Sequence, residues 1–302
     1  MNATAQFATA TTVEEALAAL AAGARPVAGG TDLVVGARQG KAPLPDAMVA
    51  IHRIDALRGI EKSGGGLRLG ALVTHEQLVA DPVVRERYTA IADASAIVGS
   101  HATRHIGTIG GNVMNASPAM ETGGPLICLG AVARLQSQSG EREVSVEELF
   151  AGPGKTSARP DELLTSIDLP ATAPGTGSCY VRLEYRKQME IAIVGATCLV
   201  VADGDSITGA RIAITALAPT IRRVPEAEES LIGGDGSPEA ARAAADLVAA
   251  ASQPISDVRG SDRYRRAMAA VMARRAINAA LARARGQDVP IPASSALHGA
   301  VE

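Results

Sequence analysis

One segment of the chain carries more bendable backbone than a simple connection needs: "GTIGGNVMNASPAMETGGP", from Gly107 to Pro125. It contains five glycines and two prolines, and Glu121 is its only charged side chain. Glycine has no Cβ, so a ligand can approach its backbone N–H groups closely. A tight turn needs only a few such residues. The length of this polar, small-residue segment therefore favours a binding loop.

A shorter stretch, "PVAGGTDLV" from Pro26 to Val34, has the same character. Gly29 and Gly30 end a predicted strand, and a helix is expected to begin with Thr31 or Asp32 as its N-cap. Glycine backbone before a helix N-terminus is a common phosphate-binding arrangement. Taken alone, each loop also fits a plain turn. Together, two Gly-Gly loops flanked by Thr and an amide or carboxylate suit the two halves of a diphosphate.

The rest of the chain divides at the Pro- and Gly-rich segment 170–178. Before it, Thr12 and Glu15 form a predicted capping box, and a small helix–strand–loop–helix unit is followed by mixed strands and helices. After it, three strands precede Ala- and Arg-rich helices. We predict domains at 1–173 and 174–286, and a poorly ordered or partner-bound tail at 287–302.

Several familiar sites are missing from the sequence. No GxGxxG follows the first predicted strand, and "GPGKTS" at 152–157 lacks the P-loop spacing. His101 and His105 have the spacing of helical metal ligands, but no HExxH pattern accompanies them and Arg104 would oppose a cation. The cysteines share no CxxC or metal-ligand spacing, so we interpret them as buried thiols. These are Cys128, Cys179 and Cys198.

The charge balance excludes some partners. The net charge of the 302-residue chain is −3 and its sequence pI is about 6.0, so nothing predicts global attraction to nucleic acid or anionic membranes. The N-terminus has no basic region and is interrupted by Glu14 and Glu15, so we expect no signal peptide or membrane span and a cytoplasmic location. One C-terminal helix is strongly basic, which indicates either a solvated face or a partner-binding face. The arginines that cluster there are Arg263, Arg265, Arg266, Arg274 and Arg275.

With both loops in view, the chain resembles the FAD-binding medium subunits of molybdenum hydroxylases. This group includes the medium subunits of aerobic carbon monoxide dehydrogenase and of bacterial xanthine dehydrogenase-type enzymes. Four motifs, in the order and spacing typical of that family, carry the resemblance. They are "AGGTDL" (28–33), "ATRHIGTIGGNVMNASPAME" (102–121), "ELLTSIDLP" (162–170) and "YVRLEYRKQMEIAIVGATCLVV" (180–201).

The resemblance implies an α+β fold. A two-subdomain, PCMH-like FAD-binding domain, with subdomains of about 1–57 and 58–173, would precede a C-terminal domain with a three-stranded antiparallel sheet and a helical bundle. Both Gly-Gly loops would wrap the FAD diphosphate. Glu121 stands where the family usually has Asp, Leu164 at an apolar position near the flavin, and Arg182 at a basic position that is often Lys. The implied FAD-binding residues are Val27, Ala28, Gly29, Gly30, Thr31, Asp32, Leu33, Thr108, Ile109, Gly110, Gly111, Asn112, Ser117, Glu121, Leu164 and Arg182.

The resemblance also implies a function in electron transfer. FAD on this chain would receive electrons from [2Fe-2S] clusters on a small subunit and pass them to an external acceptor. Substrate oxidation would take place at a molybdopterin cofactor on a large subunit, in a dimer of heterotrimers. Two alternatives are a stand-alone FAD-dependent oxidoreductase on the same scaffold and a non-catalytic assembly protein that has lost FAD.

Overall fold

The computed structural model describes residues 6–294. The α-helices are α1 (Val13–Ala21), α2 (Thr31–Arg38), α3 (His75–Ala80), α4 (Pro82–Arg87), α5 (Thr89–Ala96), α6 (His101–Arg104), α7 (Ile109–Asn115), α8 (Gly123–Leu129), α9 (Val146–Leu149), α10 (Pro225–Glu229), α11 (Pro238–Ala251) and α12 (Asp262–Ala284). The strands are β1 (Gln6–Thr9), β2 (Arg25–Val27), β3 (Ala47–Ala50), β4 (Ile60–Ser63), β5 (Gly66–Gly70), β6 (Val132–Ser137), β7 (Gly140–Ser145), β8 (Phe150–Gly152), β9 (Lys155–Thr156), β10 (Leu163–Leu169), β11 (Thr176–Leu183), β12 (Val194–Asp203), β13 (Ser206–Thr215) and β14 (Arg222–Arg223).

The first unit is a parallel sheet in the order β1-β3-β2. Helix α1 begins as predicted, with the Thr12 side chain accepting a hydrogen bond from the Glu15 amide at 3.2 Å. Leu17 and Leu20 of this helix are buried in the core of the unit. The sequence analysis missed β1 and β3. Both are four-residue strands, too short to show a period, and their pairing depends on tertiary context.

The second unit contains an antiparallel sheet in the order β4-β5-β10-β6-β7. A hairpin turn lies between β4 and β5, where Ser63 pairs with Gly66. Thr74 caps α3 in a full capping box with Gln77. Strand β10 occupies the middle of the sheet, and aliphatic side chains from α3, α4, α5, α7 and α8 join it in one core. Aromatic residues make up only 2% of the chain, so this core is filled mainly by Leu, Ile, Val and Ala.

The C-terminal unit pairs its strands antiparallel in the order β11-β12-β13-β14. Strands β11, β12 and β13 are the three predicted ones, and the expectation of a three-stranded sheet is corrected by the two-residue strand β14. The sequence signal for β14 is weak because two arginines follow a Pro-containing loop. Helix α12 packs on β11 and β12 with small side chains, including Ala269, Ala273 and Ala276, so its backbone approaches the sheet closely, and α11 packs against α12.

Two C-terminal expectations need correction. Residues 287–294 are not a poorly ordered tail, because Ala293 and Ser294 are 0% and 1% exposed; residues 295–302 of the predicted tail lie outside the described residues. Arg265 is not part of a basic surface, since it is 3% exposed and donates to the Ile193 carbonyl at 2.8 Å. It shares the sheet-facing side of α12 with Ala269.

The three cysteines are free and buried, as predicted. Cys128 belongs to α8 and to the core of the second unit. Cys179 and Cys198 face each other across β11 and β12 in the C-terminal core. Burial raises the pKa of each thiol well above its ordinary value.

Candidate functional site

The two Gly-Gly loops lie against each other. A Cβ added at Gly29 would stand 2.1 Å from the Ile106 carbonyl oxygen, a distance that only glycine permits. A Cβ added at Gly107 would lie 3.6 Å from the Thr31 hydroxyl, and one added at Gly111 would lie 4.0 Å from the Ala28 Cβ. Residues some eighty positions apart in the chain therefore lie side by side, and we call the surface between the two loops the cleft.

The first loop has backbone amides that bond to no acceptor among the described residues. Strand β2 ends at Val27, and α2 begins after Gly30, whose φ of +69° places it in the left-handed region. Gly30 is thus the N-cap, and the prediction of Thr31 or Asp32 is wrong because the chain turns one residue earlier. Glycine has no side chain to cap the helix. The amides of Thr31, Asp32 and Leu33 therefore have no acceptor within their own helix.

The second loop is saturated by the chain itself. It is the first turn of α7, and the Thr108 side chain caps it by accepting from the Gly111 amide at 3.1 Å. The amides of Ile109 and Gly110 donate to the carbonyls of Val73 and Ala71 at 2.9 and 3.0 Å, and the Asn112 amide donates to the Thr108 carbonyl at 2.9 Å. This loop forms a rigid wall of the cleft.

A buried histidine supports the second loop from behind. The His75 amide donates to the Gly107 carbonyl at 3.2 Å, and its Nδ1 lies 3.4 Å from the Ser95 hydroxyl. The side chain is 1% exposed. Burial, together with the nearby Arg104 guanidinium, lowers the pKa of His75 to about 4, so the ring is neutral at neutral pH. The sequence analysis missed His75, since a lone histidine at a helix start carries no local signal.

A buried ion pair lies beyond the second loop. Arg182 of β11 is 0% exposed, and its Nη1 donates to Glu121 Oε1 at 2.5 Å while its Nε donates to Glu184 Oε2 at 2.6 Å. The Thr122 hydroxyl, next to Glu121, donates to Asn112 Oδ1 at 2.6 Å and so links the pair to the loop. Burial raises the pKa of Glu121, and the Arg182 charge opposes that shift.

The two remaining predicted residues are placed differently. Ser117 is half-buried just after α7, and its hydroxyl accepts from the Ala119 amide at 3.3 Å. Leu164 is buried in β10, where it packs in the core of the second unit. The structure thus brings the two loops together and pairs Glu121 with Arg182, whereas Leu164 contributes to the sheet beneath.

The backbone of the cleft fits a diphosphate. A Cβ added at Gly111 would meet the Thr108 hydroxyl at 3.0 Å and little else, so this residue faces the open cleft. Gly110 faces inward, where a Cβ would lie 2.6 Å from the Ala71 carbonyl oxygen. The free amides at the start of α2 and the exposed Gly111 form a cradle that can accept phosphate oxygens. The Thr31 hydroxyl adds a further donor.

The described residues hold no group of three His, Cys, Asp or Glu side chains arranged for a metal ion. His101 and His105 are both exposed on and just after the short helix α6. Across residues 6–294, every helix is too short or too polar to cross a bilayer.

Comparisons with known proteins identify the scaffold. The family described as the FAD binding domain in molybdopterin dehydrogenase matches residues 3–172. This chain belongs to the FAD-binding medium subunits of molybdenum hydroxylases. The family described as the CO dehydrogenase flavoprotein C-terminal domain matches residues 180–280 of the same chain. A medium subunit of this type is the flavoprotein part of an oxidoreductase, and FAD is its cofactor.

Individual relatives span nearly the whole length of this medium subunit. It is 34% identical to the carbon monoxide dehydrogenase medium chain of Hydrogenophaga pseudoflava, over 79% of this chain and 83% of that one. It is 32% identical to the 6-hydroxypseudooxynicotine dehydrogenase complex subunit alpha of Paenarthrobacter nicotinovorans, over 92% and 95% of the two chains. A crystal structure of Cu,Mo-CO dehydrogenase in its cyanide-inactivated form superposes with a TM-score of 0.88, at 32% identity, over 92% of this chain and 98% of that one.

Proposed function

We propose that this chain binds FAD in the cleft between its two Gly-Gly loops and serves as the electron-transfer subunit of a molybdenum-containing hydroxylase or dehydrogenase. The observation that carries the proposal is the convergence of the uncapped start of α2 with the open face of Gly111. When bound, FAD supplies the redox chemistry, since a flavin can take up and release electrons. The chain's own part is to bind, orient and electrostatically tune it.

The proposed FAD-binding residues divide by what they offer. The first loop offers amide donors and the Thr31 hydroxyl to the diphosphate, and the second offers a close, rigid backbone surface. The Glu121–Arg182 pair supplies fixed charges at the far side of the loop. The full set is Val27, Ala28, Gly29, Gly30, Thr31, Asp32, Leu33, Thr108, Ile109, Gly110, Gly111, Asn112, Ser117, Glu121, Leu164 and Arg182.

We further propose the partners. Electrons would arrive from [2Fe-2S] clusters on a small subunit and leave to an external acceptor, while a large subunit with a molybdopterin cofactor would oxidise the substrate. Several relatives are named as medium chains or as subunits of a complex, which supports a multi-subunit assembly. We propose a dimer of such heterotrimers in the cytoplasm.

The outer face of α12 is one candidate contact for these partners. Arg263, Arg266 and Arg274 are exposed there, and Arg275 is half-buried. Like charges on one helix repel modestly, and an acidic partner surface would relieve that repulsion and speed association. Reversing Arg274 and Arg275 to Glu should weaken assembly more at low salt than at high salt, without loss of FAD. Normal assembly at low ionic strength would leave the face merely solvated.

The division of labour can be tested with the purified single chain. Its absorption spectrum should show oxidised flavin, either as purified or after the apo-protein has been incubated with FAD and the unbound FAD removed by gel filtration. The flavin of the isolated chain should stay oxidised when the organic substrate of the complex is added, and should become reduced when the large and small subunits are present. Reduction by substrate in the single chain alone would instead establish a stand-alone oxidoreductase.

A further inference from the structure

The edge strand of the C-terminal sheet has an unusual partner. Within residues 6–294, strand β11 pairs with β12 on one side only, so alternate N–H groups on its other side need acceptors. The Tyr180 amide donates to Asp93 Oδ2 of α5 at 3.2 Å. The Arg182 amide donates to the Ser294 hydroxyl at 2.9 Å. Side chains from two distant parts of the chain thus replace a neighbouring strand.

Asp93 also binds the chain next to Ser294, the other side chain that accepts from β11. Asp93 is 0% exposed; its carboxylate accepts from Arg283 of α12 at 2.6 and 3.0 Å and from the Ala293 amide at 3.0 Å. Arg283 also donates to the carbonyls of Val289 and Pro290. These bonds fix residues 287–294, which we call the C-terminal segment, against both the second unit and the C-terminal sheet.

Ser294 of the C-terminal segment contacts the backbone of the strand residue that pairs with Glu121. Ser294 is 1% exposed and its hydroxyl meets the backbone of the same residue whose guanidinium holds Glu121. A buried amide that loses its acceptor carries the full cost of its lost solvation, so the backbone at Arg182 would shift to find another partner. Any such shift moves the guanidinium as well.

We propose that Ser294 is a positioning residue for Arg182, and that the C-terminal segment is therefore a working part of the flavin site. The inference rests on the proposed placement of the Glu121–Arg182 pair at the flavin. Ser294 does not itself contact the cofactor. It fixes the strand backbone from which the Arg182 guanidinium reaches Glu121, as a supporting residue fixes a functional one.

The test uses four full-length variants. Ser294→Ala removes the acceptor, and Ser294→Thr keeps a hydroxyl at the same position. Ser252→Ala is the matched control, because Ser252 is equally buried, at 1% exposure, and hydrogen-bonded to the Ala249 carbonyl within the end of α11. Arg182→Lys is the benchmark for the site itself. Each variant is measured for FAD affinity of the apo-protein, flavin midpoint potential and thermal unfolding.

We expect Arg182→Lys to change both FAD affinity and potential. Ser294→Ala should weaken FAD binding by about five-fold or more and shift the potential in the same direction as Arg182→Lys, while Ser294→Thr restores both values. Ser252→Ala should lower only the unfolding temperature. If Arg182→Lys acts and Ser294→Ala matches Ser252→Ala, Ser294 is structural and the inference is wrong. If Arg182→Lys itself has no effect, the placement of the pair at the flavin fails first.

Discussion

The two Gly-Gly loops are alike in sequence and opposite in structure. In the first, Gly30 starts a helix with no side-chain cap, and α2 has no buried residue. In the second, Thr108 caps α7 and the amides of the first turn are all bonded to the chain itself. The first loop has donors to offer and little to hold it in place. The second is held firmly and has little left to offer.

This difference indicates a division of roles within one cleft. A ligand that bonds to the amides of α2 would stabilise the first loop, and so its order is expected to depend on occupancy. The second loop should keep its shape whether the site is filled or not. A paired motif in a sequence can therefore predict that two segments meet without predicting that they contribute equally.

The largest effect is expected from a substitution at the contact between the two loops, compared with a substitution in α2, the helix that follows the first loop. Gly29→Val should abolish FAD retention, because a side chain there meets the Ile106 carbonyl oxygen at 2.1 Å and forces the loops apart. Gly36→Ala is the control and should retain FAD. Gly36 lies in α2, just after the loop, and a Cβ added there would have no neighbour within 4 Å. Flavin content after gel filtration measures both. Full retention in a folded Gly29→Val protein would mean that the loops need not touch.

The second loop should also respond to acid through His75. Its pKa is about 4 in the folded protein, against 6.5 for the ordinary side chain, so the unfolded state binds more protons between these values. Stability is then complete above pH 6.5 and falls as the pH drops towards 4, by about 3 kcal/mol in all. His75→Gln should flatten this part of the pH profile of chemical denaturation, whereas the exposed His101→Gln should not. Equal slopes in all three proteins would remove His75 from this role.

Substitutions at the two neighbouring glycines of the second loop should affect different properties: stability at Gly110 and FAD binding at Gly111. Gly110→Ala places its Cβ against the Ala71 backbone at 2.6 Å, so it should lower the free energy of unfolding by about 1–3 kcal/mol. Gly111→Val points into the cleft, so it should abolish FAD retention with a smaller change in stability. Denaturation and FAD titration on both variants check this. If Gly110→Ala is as stable as wild type, the close approach of Gly110 to Ala71 does not exclude a side chain at this position.

The smallest effects come from the two threonines that flank the loops. Thr31→Ala should weaken FAD binding by about 1–2 kcal/mol with little change in unfolding, because it removes one hydroxyl donor. Thr108→Ala should lower the free energy of unfolding by about 1 kcal/mol, since it removes the cap of α7. Thr31→Ser and Thr108→Ser should restore each property. Equal affinity in Thr31→Ala would exclude that hydroxyl as a contact.

Local signals in the sequence predicted much of this cleft. Thr12 marked a helix start, and the Gly-Gly pairs marked both loops, because caps and turns depend on a few adjacent residues. The family resemblance predicted the fold class and the cofactor. Long-range pairing was beyond such reasoning: Asp93 meets Arg283 across 190 positions, and Ser294 meets Arg182 across 112. The burial of Arg265 depends on which side of α12 faces the sheet, which a cluster of arginines does not reveal.

Labelling of the three buried cysteine thiols can report local unfolding of the chain. A thiol with a raised pKa and no access to solvent reacts with alkylating reagents only when the surrounding structure opens. Cys128 would report on the core of the second unit, beneath the Gly-Gly loops, while Cys179 and Cys198 would report on the C-terminal sheet. Peptide mapping of the labelled protein can thus measure the opening rates of these two cores separately, with no engineered probe.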